Sequence, residues 1–218
     1  MSGFAVAGDM VWVHGQRAGT AGHRPQGGTH TPFRSLPPAC FLISFAAGEA
    51  LVTEASKALG VRADNNGVAG APLGLGSSGL VDRYAKAGIA LTARARVRPR
   101  PGSKTGIHPW VLLESADLDG YLRDANTIRN RLAHRGSSEG DLRTDWFAKV
   151  PERGLPNVTL MLAEGMLQAA QDIAYLAQSA ACPRTSVTGW SWVLPERAQT
   201  GRIPARLRDL AQFPLPSP

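Results

Sequence analysis

The chain has 218 residues, of which 43% are hydrophobic and 6% aromatic, while glycine (24) and proline (16) together approach a fifth of the sequence. It has no glycine period, no continuous apolar run of about 18 residues and only two cysteines, which excludes collagen-like, membrane-spanning and disulfide-scaffold classes. The formal net charge is +7, and the excess is almost entirely arginine, whose planar fork matches phosphate geometry and favours a polyanionic partner.

Residues 1–35 are rich in Gly, His, Thr and Arg, follow no helical or strand period, and are predicted to be disordered. No basic segment precedes an apolar core at the N-terminus, so no signal peptide is predicted. The protein is therefore expected in the cytoplasm, with both thiols reduced. The lack of pattern also leaves open that residues 1–35 are not native and that the natural chain starts elsewhere.

A first helix is predicted over residues 38–59. Pro37 and Pro38 suit the start of a helix, and apolar residues then recur at helical spacing. Gly60 can close the helix in the left-handed conformation. Cys40 is expected to be a small packing residue of the core.

Residues 61–79 contain turn-forming residues throughout and are predicted to be a Gly-rich linker. Their glycines do not match a dinucleotide-binding or phosphate-binding loop, so no nucleotide cofactor is expected. A short helix is predicted over residues 80–92, although Gly88 disfavours it.

Four arginines alternate along the next stretch, Arg94, Arg96, Arg98 and Arg100. Proline at positions 99 and 101 prevents a regular helix, and in an extended chain alternate side chains share a face. The four side chains would then form one basic edge that follows a nucleic-acid backbone. A solvated loop is the competing interpretation, and a coding bias toward arginine explains the composition equally well.

A second helical region is predicted to open at Pro109 and Trp110, with Ser115 or Asp117 capping its main part. Gly136 is expected to end it. Its apolar stripe consists of Leu118, Leu122, Ala125, Ile128 and Leu132. Aromatic residues at positions 146 and 147 are expected to pack back onto the helices.

The strongest helical pattern covers residues 157–180, with Asn157 as a good N-cap and a broad apolar face after it. Residues 182–218 are predicted to form an irregular Pro-rich tail. Helices joined by long loops, without alternating strands, predict an all-α bundle over residues 36–181.

The residues with functional chemistry lie in the stretch YLRDANTIRNRLAHRG, residues 121–136. On a helix Asn130 and His134 share a face, whereas Arg129 lies about 140° around the axis from His134. One helix therefore does not aim both side chains at one point. Two copies across a two-fold axis could bring arginine and histidine from both chains together, so a homodimer is expected.

These residue types suit the transesterification of RNA, in which a ribose 2′-hydroxyl attacks the adjacent phosphorus. Histidine can act as acid or base near neutrality, and arginine stays charged and binds phosphate with two donors. Asparagine can hold the imidazole or a phosphate oxygen. The chemistry needs no metal, and the sequence shows no cluster of metal ligands.

The segment IRNRLAHRG, residues 128–136, resembles the signature helix of HEPN domains (higher eukaryotes and prokaryotes nucleotide-binding). The resemblance covers about residues 109–180 and implies an all-α bundle of four to five helices. Many HEPN members are metal-independent ribonucleases with the active site at a homodimer interface, acting as toxins or defence effectors. The resemblance therefore implies catalytic roles for Arg129 and His134, with Asn130 as the polar residue after the arginine. It also implies RNA as substrate and an antitoxin protein as a further partner.

The alternative is a non-catalytic helical module that binds nucleic acid or a protein partner. In such an arginine-rich chain, an arginine and a histidine five positions apart occur by chance about 0.5 times, so the spacing alone does not decide. On this interpretation Arg129 lies at a surface helix end and pairs with Asp124 or Asp145. The arginine edge and the C-terminal tail then matter more than His134.

Overall fold

The computed structural model describes residues 36–63, 70–98, 108–133, 146–147 and 158–182. These ranges hold four helices and two strands, which are α1 (Leu36–Leu59), α2 (Leu80–Lys86), β1 (Thr92–Arg96), β2 (Trp110–Glu114), α3 (Ser115–Ala133) and α4 (Leu160–Ala181). The predictions of a disordered N-terminal segment and of a Pro-rich tail fall on residues outside the described ranges, apart from Cys182.

Helix α4 is the centre of the fold. Every residue from Leu162 to Ala170 is buried, a pattern typical of a helix enclosed on all sides. Its most extensive contacts are with α1 and β1. The helix begins after Thr159, whose hydroxyl accepts the N–H of Leu162 at 3.3 Å and so satisfies one free donor of the first turn. The predicted helix is confirmed, and its proposed cap at Asn157 lies outside the described residues.

Helix α1 confirms the first predicted helix. It ends where Gly60 adopts a left-handed φ of 69°, which a glycine accepts without a steric penalty. Midway along it, a β-carbon on Gly48 would lie 2.9 Å from the β-carbon of Ala170, so α1 and α4 approach closely there. Cys40 is fully buried, and burial raises the pKa of its thiol to about 11, as expected for a packing residue.

By length and composition alone, Pro37–Leu59 is apolar enough to cross a membrane, with a mean hydropathy of 1.3 over its most apolar window. It is the single such helix among the described residues. A core helix passes the same test, and this one packs against α4. The absence of a continuous apolar run therefore did not by itself exclude such a helix.

The segment after α1 is a loop with turns where the structure describes it, and it packs into the core as well as linking two helices. Leu73 and Leu75 are fully buried, and the Ala63 N–H donates to the Ala71 carbonyl at 3.1 Å. Residues 64–69 lie outside the described ranges. The side chains of Leu73 and Leu75 fill part of the core, although their neighbours in sequence are mostly glycine and proline.

Helix α2 is shorter than the predicted segment 80–92. It lies between Gly79 and Gly88, whose φ angles of 73° and 79° allow the chain to turn sharply at either end. The buried Tyr84 hydroxyl forms a hydrogen bond of 2.8 Å with the Ser56 hydroxyl, which ties α2 to α1.

An antiparallel strand pair corrects the all-α prediction, while the mostly helical character is confirmed. Strands β1 and β2 pair from Thr92↔Glu114 to Arg96↔Trp110. The predicted second helix begins as strand β2 and becomes helical only at Ser115. A short apolar run such as WVLLE has no distinguishing period, so pairing with β1 decides its conformation.

Helix α3 presents the predicted apolar stripe to the core. Leu118, Leu122, Ala125 and Ile128 are buried, and Leu132 is half-buried. The predicted helix end at Gly136 lies outside the described residues. Phe147 is fully buried, edge-on to Phe41 at 5.7 Å and tilted against Tyr121 at 4.9 Å between ring centroids, which confirms its expected packing.

Candidate functional site

Arg129 lies on α3 with its guanidinium over an aromatic ring. The guanidinium carbon is 5.2 Å from the centroid of the buried Phe45 ring on α1, within the range of a cation–π interaction. The Arg129 side chain is half-buried, and among the described residues no hydrogen bond or ion pair engages its donors. The contact that holds this guanidinium is therefore with an uncharged aromatic ring.

A tight backbone approach borders this contact. A β-carbon on Gly76 would lie 2.9 Å from the Asn126 Oδ1 atom and 3.1 Å from the Phe45 Cζ atom. The Gly76 N–H donates to the Glu49 Oε2 atom at 2.7 Å, which anchors the loop to α1. Asn126, one turn before Arg129, has a buried Oδ1 atom with no hydrogen-bond partner in the described part of the chain.

Asn130 is exposed, next to Arg129 on α3. His134 follows the last helical residue that the structure describes, Ala133, and lies outside the described ranges. The structure thus places two of the three predicted catalytic residues next to each other on α3, one half-buried and one exposed.

The arginine edge is not formed as predicted, because Arg94 points into the fold. Its main-chain N–H and its Nε atom each donate to the Asp172 Oδ2 atom at 2.9 Å. Its Nη2 atom donates to Oδ1 at 2.7 Å. The Asp172 side chain is only 3% exposed, so this is an internal ion pair.

Arg96 is also held internally. Its Nε atom lies 2.9 Å from the Glu164 Oε2 atom, and its Nη1 atom donates to the His108 carbonyl at 2.7 Å. The guanidinium also lies over the Trp110 ring, 4.5 Å from the centroid. With 5% exposure, Arg96 is not available to a nucleic-acid backbone.

The extended conformation and the shared face of Arg94 and Arg96 are as expected, but that face meets carboxylates of α4 instead of solvent. Arg98 is exposed, and its N–H donates to the Trp146 carbonyl at 2.8 Å. Arg100 lies outside the described residues. The sequence interpretation missed the acidic partners because their elements are far apart along the chain.

The partners had a detectable signal in the sequence. Glu164, Gln168 and Asp172 recur every four residues within the buried helix α4 and are 8%, 1% and 2% exposed. Polar residues at that spacing lie on one helix face and need partners when buried. Here Gln168 donates to the Asp172 Oδ1 atom at 2.6 Å, which completes a continuous polar stripe.

Burial changes the pKa of Asp172 in this stripe and of His108, whose carbonyl accepts from Arg96. It raises the pKa of Asp172, while the donors of Arg94 and Gln168 act in the opposite direction by favouring the ionised form. The pKa of His108 is lowered, chiefly because burial disfavours the charged ring, and the nearby Arg96 charge adds to this. The His108 Nδ1 atom lies 3.1 Å from the Val97 carbonyl oxygen, an interaction that opposes the shift.

Within the described ranges, no group of three His, Cys, Asp or Glu side chains is arranged to hold a metal ion. No protein-family model, curated protein or solved structure shows a significant match to the chain. Any functional assignment therefore depends on the residues themselves.

Proposed function

We propose that this chain is a metal-independent endoribonuclease of the HEPN type that acts as a homodimer in the cytoplasm. The observation that carries the proposal is the state of Arg129, half-buried over Phe45 with its donors unengaged by described residues. A cation–π contact attracts the charge without accepting a conventional hydrogen bond, so the N–H donors of Arg129 can bind phosphate oxygens.

The other arginines of the predicted site differ from Arg129 in this respect. Carboxylates lie against the guanidinium groups of Arg94 and Arg96 inside the fold. This lowers the support for the alternative, a non-catalytic module that binds nucleic acid through an arginine edge. Of that edge, only Arg98 is exposed among the described residues.

In the proposed reaction, a base removes the proton of a ribose 2′-hydroxyl, and the oxygen attacks the adjacent phosphorus. The bond to the 5′-oxygen breaks, an acid protonates that oxygen, and a 2′,3′-cyclic phosphate and a 5′-hydroxyl result. His134 would supply the proton transfers, and Arg129 would stabilise the charge that develops on the phosphoryl oxygens. Asn130 would orient the phosphate or the imidazole.

A second copy of the chain would complete the site. Arg129 and His134 lie about 140° apart on an ideal helix, so one copy does not converge them on one phosphate. Two α3 helices related by a two-fold axis would place an arginine of one chain near the histidine of the other. A toxin or defence role, with an antitoxin protein as partner, belongs to the same proposal.

The test is cleavage of a single-stranded RNA of mixed sequence by purified variants. Arg129→Ala and His134→Ala should each abolish cleavage and leave a cooperatively unfolding protein. Arg123→Ala is a matched control, since it removes an exposed arginine from the same helix. Equal cleavage by the wild type and all three variants would disprove the assignment. Salt-sensitive RNA binding without turnover would favour the non-catalytic alternative.

A further inference from the structure

We propose that Phe45 is a positioning residue for Arg129, holding the guanidinium so that its N–H donors face the RNA phosphate. This inference rests on the proposed function. Phe45 lies on α1, 84 positions before Arg129 in sequence, and has no place in the segment that resembles the HEPN signature. The structure alone brings the two residues together.

The ring of Phe45 is itself fixed in place. It is 1% exposed, and its outer end lies against the Gly76 backbone, where a β-carbon would be 3.1 Å from the Cζ atom. The Glu49 carboxylate holds that backbone through the Gly76 N–H. A ring enclosed in this way offers the arginine a surface of defined position.

The type of contact matters because it does not consume the donors of Arg129. A carboxylate partner would orient an arginine but would also occupy the N–H bonds needed for phosphate, as at Arg94 and Asp172. An aromatic face attracts the cation without a hydrogen bond. The Phe45 ring can therefore orient Arg129 before RNA binds and leave its binding capacity intact.

A positioning role predicts an effect on turnover greater than the effect on substrate binding. Phe45→Leu keeps an apolar side chain but removes the aromatic face. The kcat should then fall about tenfold with little change in KM, because a misaligned guanidinium stabilises the transition state less while it binds the substrate almost as well.

Phe41→Leu is the matched control for a general packing defect. Phe41 is also fully buried on α1, one turn earlier, but among the residues that the structure describes it contacts the Phe147 ring and no cation. Its kcat should remain near the wild-type value at temperatures well below unfolding. Equal losses of kcat in Phe41→Leu and Phe45→Leu, or no loss in Phe45→Leu, would overturn the proposal.

A second measurement separates this inference from the proposed function. If Phe45 and Arg129 interact, Phe45→Leu should lower Tm by about 2 °C less in the Arg129→Ala background than in the wild-type background. The decrease in Tm caused by Phe41→Leu should be the same in the wild-type and Arg129→Ala backgrounds. Coupling without RNA cleavage by the wild-type protein would disprove the nuclease and retain the contact, whereas cleavage without coupling would remove the role of Phe45 alone.

Discussion

Arg94 and Asp172 are joined by three hydrogen bonds that use both carboxylate oxygens and the main-chain N–H of the arginine. The pair links β1 to the central helix α4 across 78 positions of sequence. Because one of the donors is a backbone group, Asp172 fixes the strand itself as well as the guanidinium. The strand pair is therefore anchored to the helical core by charge as well as by apolar packing.

Replacing Asp172 by asparagine should destabilise the fold. The change keeps the shape of the side chain but leaves the Arg94 charge, 16% exposed, without its counter-ion. Removing one partner of a buried ion pair typically lowers the free energy of unfolding by about 3–5 kcal/mol. Because Arg94 is partly exposed, we expect a decrease of about 3 kcal/mol. Urea denaturation measures this loss, with Glu54→Gln, an exposed substitution on α1, as control. Equal midpoints for the two variants would contradict the anchoring role.

Gly165 should tolerate no side chain. A β-carbon there would lie 2.4 Å from the main-chain nitrogen of Arg96 and 2.8 Å from the Arg96 β-carbon, so β1 would have to move away from α4. We expect Gly165→Ala to cost about 2 kcal/mol, since overpacking outweighs the gain in helix propensity.

Gly120→Ala provides a matched comparison, because this glycine is also in a helix and buried. A β-carbon there would meet the edge of the Trp146 indole at 3.0 Å, a side chain that can shift. Gly120→Ala should change the free energy of unfolding by no more than about 1 kcal/mol in the same urea denaturation assay. A smaller loss at Gly165 than at Gly120 would show that α4 and β1 are not in such close contact.

His108 should make stability depend on pH. Because burial lowers its pKa below 6.5, the unfolded chain binds more protons than the folded protein at mildly acidic pH. The stability from neutral His108 is therefore complete above pH 6.5 and is lost as the pH falls through the folded-state pKa.

Thermal unfolding of wild type and His108→Gln measures this contribution. A glutamine amide can still donate to the Val97 carbonyl but does not titrate. Tm of the wild type should fall more steeply than Tm of the variant between about pH 7.5 and pH 5. Parallel curves would show that His108 contributes nothing to the acid sensitivity.

The proposed transesterification determines the products. RNA fragments should end in a 2′,3′-cyclic phosphate, since the attacking nucleophile is the neighbouring 2′-oxygen. EDTA should leave the rate unchanged, and an oligonucleotide of the same sequence with deoxyribose throughout should not be cleaved. Mass spectrometry of the fragments checks the first point, and loss of activity in EDTA would contradict a mechanism that uses only side chains.

The helices with a strong apolar period were predictable, and the strands were not. The stripe from Leu118 to Ile128 repeats at helical spacing, so local sequence determined its conformation and its buried face. The run from Trp110 to Glu114 has no such period and became a strand by pairing with β1. Its hydrogen-bond partner is a separate segment of the chain, so the local sequence alone does not predict the pairing.

For the candidate site, the sequence by itself predicted a chemistry for Arg129, Asn130 and His134 and placed the first two on a helix. Only the tertiary structure decided which arginines are available. Arg94 and Arg96 looked like an exposed edge, but α4 supplies carboxylates that neutralise them, whereas Phe45 supplies an uncharged face to Arg129. Local spacing determines which side chains share a face, but the group that the face meets comes from distant segments and depends on packing.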